Sequence, residues 1–465
     1  MSELIISVSG LRGVIGETLT PEVAARYAIA FSRTMPDGPF VITRDSRPSG
    51  GMLADAIHAA LNATGRNTVD AEIASTPTAG ILIRTFGAAG GIQISASHNP
   101  IEFNGMKLFD SGGRVIPKGH GSTVLENYKN RREIAWVGAT EIGERTPFRN
   151  TTEEHLKAIL RTVDADAIAA RRFRVLLDAN HGAGAILGAR LLEALNCDVT
   201  ILGEEPDGHF AHTPEPTPEN LTTVCASAKQ LGVDVTFCQD PDADRLAVID
   251  DQGRYIGEEY TVALCLEHLL KTADNPKRPF ARRKGSVVIN CATSRMCEDI
   301  AAKYGVKIFR SAVGEANVVD LMLEKNAMFG GEGNGGPIDP KIGPVRDSFV
   351  GIAMLLEAMA LREQSIAELA AGLPEYSIVK RKMSLPCDRI PKALEALNER
   401  LEGERVAVDF QDGLRIDFAD SWVLLRASNT EPIVRTIAEA PTPDRANALC
   451  DAVETICTEI CMKTG

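Results

Sequence analysis

Residues 175–180, with the sequence VLLDAN, decide the fold class. Three apolar residues followed by polar ones, just before a helical pattern, are typical of a buried strand that runs into a helix. The same design recurs at residues 41–45 (VITRD) and 287–291 (VVINC). Because such strands alternate with helical patterns over the first two thirds of the chain, we predict an α/β protein. The spacing of the three stretches is too long for a solenoid and suits three successive α/β domains of similar plan.

Helix and strand signals towards both ends of the chain add to this plan. The stretch 20–22 (TPE) combines a capping hydroxyl, a proline at the first helical position and an acid in the first turn, which predicts a helix. Residues 414–418 and 421–426 predict two paired strands, and residues 444–462 predict a helical tail. We place domain boundaries near residues 150, 256 and 370, which gives domains 1–150, 151–256, 257–370 and 371–465.

The composition describes a folded protein that repels polyanions. The chain has 465 residues, 44% of them hydrophobic, and 63 acidic against 50 basic side chains give a net charge of −13. This balance opposes nucleic acid and anionic membranes, so an anionic ligand needs a local cluster of cations, backbone N–H groups or metal. Ten scattered cysteines without a CxxC pair, no signal-peptide pattern and no bilayer-spanning stretch predict a cytoplasmic protein with no nucleic-acid or membrane partner.

A tight polar turn after a strand displays a serine. The strand-like run GGIQI at residues 90–94 leads into SASHNP at residues 95–100, and Lys107 can return towards the turn. Ser97 beside His98 suggests either acyl transfer or a serine that carries phosphate. A nucleophile elbow needs the pattern Gly-x-Ser-x-Gly, which is missing here, so the phosphate-carrying role is favoured. An ordinary polar turn after a strand is the alternative.

Three carboxylates crowd the stretch 240–245, DPDADR: Asp240, Asp242 and Asp244. Each pair of carboxylates about 4 Å apart costs about 4 kcal/mol at an effective dielectric near 20, so they converge only around a cation. Hard oxygen ligands select Mg²⁺, Mn²⁺ or Ca²⁺, and an EF-hand is excluded because Arg245 stands where that loop needs glycine. Mg²⁺ is favoured because it completes its shell with phosphate oxygens. The alternative is an acidic, solvated loop.

The stretch 330–336, GGEGNGG, is unusually rich in glycine. Such a backbone approaches a ligand closely, while Glu332 and Asn334 offer acceptors and a donor suited to sugar hydroxyls. The spacing matches neither a dinucleotide-binding fingerprint nor a Walker loop. A plain flexible loop is the alternative.

A fourth polar stretch, 426–435 (RASNTEPIVR), combines two arginines, two hydroxyls and an amide. With the backbone N–H groups of a turn these side chains make an anion cradle, which predicts a phosphate site. A polar turn with paired arginines is the alternative. A smaller basic contact is Arg12, whose flanking glycines would let its charge face inward.

Taken together and in this order, the four stretches resemble the active-site loops of the α-D-phosphohexomutase family, which comprises phosphoglucomutases, phosphomannomutases and phosphoglucosamine mutases. SASHNP with the following NGMK is similar to the phosphoserine loop, DPDADR to the metal loop, GGEGNGG to the sugar loop and RASNTEP to the phosphate loop. The resemblance spans the chain. It implies three similar α/β domains with mixed sheets and a smaller C-terminal α+β domain around a central cleft.

The resemblance also implies an activity: interconversion of hexose 6-phosphate and hexose 1-phosphate through a phosphoserine enzyme and a 1,6-bisphosphate intermediate. It implies one Mg²⁺ per chain, a hexose 1,6-bisphosphate activator, a hexose phosphate substrate as partner, and a monomer or homodimer. The implied catalytic residues are Ser97, Arg12, His98, Lys107 and Arg245, the implied metal ligands are Ser97, Asp240, Asp242 and Asp244, and the implied substrate-binding residues are Glu332, Asn334, Arg426, Ser428, Asn429, Thr430 and Arg435.

The chain departs from the family pattern in the sugar loop. Many members have Ser-Gly-His after the loop glutamate, whereas this chain has Asn334-Gly335-Gly336, so a histidine proposed for proton transfer is missing. General acid–base roles stay open between Lys107 and His98. The departures resemble phosphoglucosamine mutases and related archaeal-type enzymes, so the expected substrate is glucosamine phosphate, with phosphomannomutase/phosphoglucomutase as the alternative. Two further hypotheses are a catalytically silent sugar-phosphate binding protein and a metal-dependent phosphatase.

Overall fold

The computed structural model describes residues 4–7, 10–130, 133–273, 284–400, 403, 406–427 and 433–462. Within them the chain forms four sheets. Of the helices in these ranges, none is long and apolar enough to cross a membrane.

The first sheet has seven strands. Its strands are β1 (Ile5–Ser7), β2 (Gly10–Val14), β3 (Phe40–Arg44), β4 (Thr68–Ile73), β5 (Gly90–Ile94), β6 (Phe103–Asp110) and β7 (Arg145–Pro147). The accompanying helices are α1 (Pro21–Ser32), α2 (Ser49–Asn62), α3 (Thr76–Thr85) and α4 (Lys118–Lys129). The strand order is β1-β2-β6-β5-β3-β4-β7. Since β3 pairs in parallel with β4 and β5 while β6 pairs antiparallel with β5, the sheet is mixed.

The second and third sheets have four strands each. The second contains β8 (Arg174–Asp178), β9 (Asp198–Leu202), β10 (Val235–Gln239) and β11 (Leu246–Ile249), with helices α5 (Glu153–Leu160), α6 (Ala165–Arg171), α7 (Gly184–Ala194) and α8 (Thr222–Leu231). The third contains β12 (Val287–Asn290), β13 (Ile308–Ser311), β14 (Phe329–Glu332) and β15 (Gly336–Ile338), with helices α9 (Glu258–Thr272), α10 (Met296–Lys303), α11 (Glu315–Glu324), α12 (Ser348–Arg362) and α13 (Ile366–Ala371). The strand orders are β11-β10-β8-β9 and β13-β12-β14-β15.

The fourth sheet differs because all its strand pairs are antiparallel. It contains β16 (Ser377–Ser384), β17 (Ala407–Asp409), β18 (Leu414–Asp417), β19 (Trp422–Ala427) and β20 (Ile433–Ala440) in the order β16-β20-β19-β18-β17. A 3₁₀ turn (Cys387–Arg389) and helices α14 (Ile390–Arg400) and α15 (Pro443–Met462) complete this part. The predicted α/β class and four-part architecture are confirmed.

One four-stranded unit occurs three times. Its strand order is β6-β5-β3-β4 in the first sheet, β11-β10-β8-β9 in the second and β15-β14-β12-β13 in the third. In each unit the first two strands pair antiparallel and the remaining pairs are parallel. The three stretches that decided the fold class form the equivalent central strands β3, β8 and β12. The hairpins β5–β6, β10–β11 and β14–β15 are therefore equivalent to one another.

Local sequence signals explain several elements. Helix α1 begins at Pro21, and the Thr20 hydroxyl caps it by accepting a hydrogen bond from the Val23 N–H at 3.3 Å. The strands predicted near residues 414 and 421 are β18 and β19, which pair antiparallel. The apolar side chains of β8 are fully buried, as its unbroken apolar run predicts. The domain boundaries near residues 150, 256 and 370 stay predictions.

Candidate active site

The three equivalent hairpin loops meet at one place. They are the serine loop (residues 95–102, between β5 and β6), the acidic loop (residues 240–245, between β10 and β11) and the glycine loop (residues 333–335, between β14 and β15). The Ser97 hydroxyl donates to Asp240 Oδ2 at 2.8 Å. Leu246, directly after the acidic loop, donates its N–H to the Gly335 carbonyl at 2.8 Å. Repetition of one unit thus brings three chemically different loops into one cluster.

Ser97 has an unusual backbone conformation. Its φ is 51°, in the left-handed region that non-glycine residues seldom adopt and that often marks a functional site. The Ser97 N–H donates to Ser95 Oγ at 2.9 Å, and its carbonyl accepts from Arg47 Nη2 at 2.8 Å. These bonds hold the hydroxyl towards the acidic loop, where the side chain is only 1% exposed.

The acidic loop brings its three carboxylates together. One oxygen from each of Asp240, Asp242 and Asp244 lies within 4.8 Å of the others, and all three residues are buried. Among the described residues, Asp242 Oδ1 and Asp244 Oδ1 are buried without a hydrogen-bond partner. A buried, negatively charged oxygen costs folding free energy unless a cation or a hydrogen-bond donor contacts it. This set of hard oxygen donors therefore fits a divalent cation such as Mg²⁺.

Basic side chains surround the same carboxylates. Lys107 Nζ, on β6, donates to Asp244 Oδ2 at 2.7 Å and also contacts Asp242 Oδ2. Thr76, the first residue of α3, donates its N–H to the Asp242 carbonyl at 2.9 Å. Arg245 Nε lies 3.9 Å from Asp244 Oδ1. The side chain of Lys107, one of the residues predicted from the sequence, thus contacts the acidic loop.

Burial and neighbouring charges set the ionisation of this cluster. Burial, followed by repulsion from the two other aspartates of the loop, raises the pKa of Asp240 well above its ordinary value. Burial would also raise the pKa of Asp244, but Arg346 and Lys107 lower it. Burial would lower the pKa of Lys107, but the Asp242 and Asp244 carboxylates raise it to about 12. Lys107 is therefore an ammonium group at neutral pH.

His98 has the opposite character. Burial, followed by the charges of Arg245 and Arg12, lowers the pKa of His98 well below its ordinary value. Its Nδ1 lies 3.4 Å from Ser97 Oγ, and its Nε2 lies 3.7 Å from Glu215 Oε1. The side chain is therefore a neutral imidazole beside the hydroxyl. Burial and Arg245 likewise lower the pKa of Arg12, which lies on β2.

The glycine loop follows an anchored glutamate. Glu332 Oε1 accepts hydrogen bonds from Asn290 Nδ2 at 2.7 Å and from the Gly314 N–H at 3.0 Å, and Glu332 Oε2 accepts from Arg346 Nη1 at 2.8 Å. Asn334 Oδ1 is buried without a hydrogen-bond partner among the described residues. The loop therefore has an unused acceptor next to a fixed carboxylate.

Two arginines of the fourth sheet face each other. Arg426 on β19 and Arg435 on β20 are direct cross-strand partners, and Arg426 Nε donates to Asp412 Oδ2 at 2.7 Å. Like charges directly opposite each other are unfavourable, so this pair suits an anion between them. Arg435 Nε is buried without a hydrogen-bond partner within the described ranges. The other predicted phosphate-loop residues, Ser428, Asn429 and Thr430, lie outside the described residues.

Sequence reasoning missed three residues of this cluster: Thr76, Glu315 and Arg346. Arg346 bridges the acidic loop and Glu332, since its Nη2 also donates to Asp244 Oδ2 at 2.6 Å. Glu315, the first residue of α11, accepts from the Arg346 N–H at 2.7 Å. Glu315 and Arg346 stand outside dense polar stretches, and the hydroxyls of residues 75–78 (STPT) signal only a helix start, so position in the fold identifies all three.

The arrangement suits transfer of a phosphoryl group. A hydroxyl lies against three clustered carboxylates that fit a divalent cation, with lysine and arginine side chains beside them. Phosphoryl transfer depends on such positioning and on neutralising the charge of the transferred group, with little covalent chemistry left for other side chains.

Comparison with known proteins gives concordant matches. Four family models, described as phosphoglucomutase/phosphomannomutase alpha/beta/alpha domains I, II and III and C-terminal domain, match residues 4–135, 153–253, 258–376 and 378–456. A phosphoglucomutase/phosphomannomutase of Thermococcus kodakarensis is 37% identical over 446 residues, with 94% of each chain covered. A probable phosphoglucosamine mutase of Methanopyrus kandleri is 30% identical over 444 residues, with 95% of each chain covered. A crystal structure of a phosphoglucomutase/phosphomannomutase family protein from Burkholderia thailandensis is 25% identical, covers 99% of this chain and 98% of its own, and has a TM-score of 0.84.

Proposed function

The chain belongs to the phosphoglucomutase/phosphomannomutase family and is an isomerase of the phosphohexomutase kind, and from that premise we propose that it interconverts glucosamine 6-phosphate and glucosamine 1-phosphate. The observation that carries the proposal is the contact between Ser97 and the acidic loop, in a cluster that also contains the glycine loop. In this proposal Ser97 carries the phosphoryl group between turnovers.

The proposed cycle consists of two transfers that balance each other. In the first, the free hydroxyl of a hexose monophosphate attacks the phosphorus of phospho-Ser97, the bond from phosphorus to Ser97 Oγ breaks, and the hydroxyl proton passes to a base. The product is a hexose 1,6-bisphosphate. After this intermediate turns round, Ser97 Oγ attacks the phosphorus of its other phosphate, the bond from that phosphorus to the sugar oxygen breaks, and the base returns its proton to that oxygen. The net reaction moves one phosphate between C6 and C1 and restores phospho-Ser97. Added hexose 1,6-bisphosphate serves as the activator because it recharges a bare serine.

The proposed metal ligands are Asp240, Asp242, Asp244 and the phosphoryl group on Ser97. One bound Mg²⁺ per chain would neutralise charge on the transferred phosphoryl group. Among this chain's own residues, Lys107, Arg245 and Arg12 would add positive charge around the same group. His98 is the proposed carrier of the proton, because its imidazole is neutral and lies beside the serine hydroxyl. The high pKa of Lys107 suits a charge-stabilising role better than proton acceptance.

The remaining contacts would bind the substrate. Glu332 and Asn334 would hold the polar groups of the sugar, and Arg426 and Arg435, with residues 428–430, would hold the phosphate that is not reacting. We call these arginines and residues 428–430 the phosphate clamp. Whichever end of the bisphosphate is reacting, the clamp would hold the phosphate at the other end, so it serves both orientations.

Two unpaired acceptors favour an amino sugar over a neutral hexose. Asn334 Oδ1 and Glu259 Oε2 are buried without hydrogen-bond partners among the described residues, and Glu259 Oε2 lies against Gly333 of the glycine loop. The other oxygen of the same carboxylate, Glu259 Oε1, accepts from Lys380 Nζ at 2.7 Å, so the negative charge is already paired. The ammonium group of glucosamine carries three donors where a hydroxyl carries one, so it can satisfy the remaining acceptor oxygens better. The second candidate substrates are mannose and glucose phosphates, as the name of the Thermococcus relative indicates for that protein.

We further propose that the protein is cytoplasmic and is a monomer or a homodimer.

The experiment is an isomerisation assay with Mg²⁺ and a trace of bisphosphate activator, on the phosphates of glucosamine, glucose, mannose and N-acetylglucosamine. We expect the highest kcat/KM for glucosamine phosphate. An equal or higher value for glucose or mannose phosphate would transfer the assignment to phosphoglucomutase/phosphomannomutase. Release of free phosphate in place of the isomer would indicate a phosphatase, and no reaction of any sugar would indicate a silent binding protein.

A further inference from the structure

Gly336 and Arg346 compete for the same space. A Cβ atom at position 336 would lie 2.4 Å from Arg346 Cδ and 2.9 Å from Arg346 Cγ. The stem of the arginine therefore runs directly over the glycine. Any larger residue at position 336 would have to displace the arginine side chain. By its resemblance to the family pattern, position 336 corresponds to the histidine of the Ser-Gly-His sequence.

Along this path Arg346 contacts both the acidic loop and Glu332, the last residue of β14. Its guanidinium donates through Nη2 to Asp244 Oδ2 at 2.6 Å and through Nη1 to Glu332 Oε2 at 2.8 Å. Arg346 is only 6% exposed. A guanidinium keeps its proton at every pH at which the protein is folded, so Arg346 carries a permanent positive charge. One side chain thus links the acidic loop of the second sheet to the glutamate of the third.

The backbone beneath Arg346 is fixed independently. The Arg346 N–H donates to Glu315 Oε1 at 2.7 Å. The next residue, Asp347, caps α12 by accepting from the Phe349 N–H at 3.0 Å, and its Oδ2 contacts His155 Nε2 at 2.7 Å. Because both residues are held at the start of the helix, the guanidinium approaches the acidic loop and the end of β14 from a rigid base.

We propose that Arg346 is a positioning residue that stands in the space of the missing family histidine and holds Glu332 and Asp244 in their working orientation. The inference rests on the proposed mutase function. A guanidinium does not release its proton, so Arg346 replaces the shape and positive charge of an imidazolium and leaves proton transfer to another group. Its planar fork suits two carboxylates at once, which a lysine ammonium on a flexible stem cannot match.

A buried arginine among acids can also have a simpler role, namely neutralisation of their charge for stability. The two roles differ in what a histidine at position 336 does. If the space and the contacts matter for turnover, a histidine there restores activity only when Arg346 has been removed. If the charge of Arg346 serves stability alone, the turnover of each variant follows its amount of folded protein. A histidine at position 336 then raises kcat no further.

The test is a double-mutant cycle on the full-length protein with Gly336→His, Arg346→Gly and the combined variant, with Arg346→Lys as the conservative change. We expect Arg346→Gly to lower kcat by about 100-fold and Arg346→Lys by about 10-fold. Gly336→His alone should lower both Tm and kcat, because the imidazole collides with the arginine. The combined variant should recover at least about 10-fold in kcat over Arg346→Gly, beyond any change in Tm.

Two results would overturn the inference. The first is a kcat within about threefold of wild type for folded Arg346→Gly or Arg346→Lys. The second is a combined variant that folds and is no more active than Arg346→Gly. The Tm values of the same cycle test the shared space without any turnover, because Gly336→His should cost stability only while Arg346 is present. Failure of the mutase proposal itself would appear separately, as an inactive wild-type protein.

Discussion

The Ser97 hydroxyl lies 2.8 Å from Asp240 Oδ2, although 143 positions separate the two residues. They occupy equivalent turns in two copies of one four-stranded unit, and the third copy places its glycine loop against the same cluster. The active site proposed here therefore arises from threefold use of one hairpin position, with different chemistry in each turn.

Removal of one charge from the acidic loop should separate metal binding from stability. Burial and the two neighbouring aspartates raise the pKa of Asp240, so its ionised form costs folding free energy when no metal is bound. Asp240→Asn should therefore unfold at the same or a higher Tm in EDTA. It should also lose most of the Mg²⁺-dependent rise in Tm, which corresponds to about 2.7 kcal/mol at a hundredfold excess over Kd.

The matched control for this variant is Asp250→Asn, which changes a buried aspartate that accepts hydrogen bonds in its own turn after β11. This control should keep its response to Mg²⁺. Thermal denaturation with EDTA and with Mg²⁺ measures both effects. An undiminished Mg²⁺ response in Asp240→Asn would remove Asp240 from the ligand set.

The facing arginines should act mainly in binding. Arg435→Met removes one of the two positive charges that face each other across β19 and β20. We expect KM for the sugar phosphate to rise by about 10- to 100-fold while kcat falls by less than about threefold, as loss of a charge-assisted contact to a non-reacting group predicts. Steady-state kinetics measures the split. Arg400→Met is the control, since Arg400 forms a half-exposed ion pair with Glu459 on the surface. A fall confined to kcat would argue against the clamp.

The buried His58 should make the folded protein less stable at acidic pH. Its Nδ1 lies 2.8 Å from Thr68 Oγ1, and burial, followed by the charge of Arg145, lowers its pKa from 6.5 to about 4. Between these values the unfolded chain binds a proton that the folded chain does not. The free energy of unfolding therefore falls as the pH falls from about 6.5 to about 4, with up to about 3 kcal/mol from this residue.

Urea unfolding of wild type and His58→Gln at about pH 7.5 and about pH 5 isolates this contribution. The loss of stability between the two pH values should be smaller in His58→Gln, because the amide does not titrate. Equal losses in the two proteins would show that His58 does not contribute to the acid sensitivity.

Local chemistry made much of this protein predictable. The apolar runs that became β3, β8 and β12 revealed the α/β class, and Thr20 with Pro21 marked the start of α1. The serine, acidic and glycine loops stood out because each concentrates unusual residues within a few positions. These signals are short-range, so a single sequence carries them plainly.

Other features depend on the fold and had no local signal. Arg346 lies 102 positions from Asp244 and 14 from Glu332, and an isolated arginine before a helix is common. The equivalence of the three hairpins was also not predicted, because it is a property of strand order. The return of Lys107 towards the serine turn is a prediction from its position in the sequence, but its contacts with Asp242 and Asp244 had no local signal, because those residues are more than a hundred positions away.

Covalent labelling shows whether Ser97 carries the phosphoryl group. Wild type, Ser97→Ala and the control Ser122→Ala, which changes an exposed serine of α4, would be incubated with ³²P-labelled hexose 1,6-bisphosphate and mapped by mass spectrometry. We expect a single phosphoryl group on Ser97 in wild type and in the control, discharged when hexose monophosphate is added. Neither label nor isomerisation is expected in folded Ser97→Ala. Normal turnover by Ser97→Ala, or a label retained at another residue, would contradict the proposed role of Ser97.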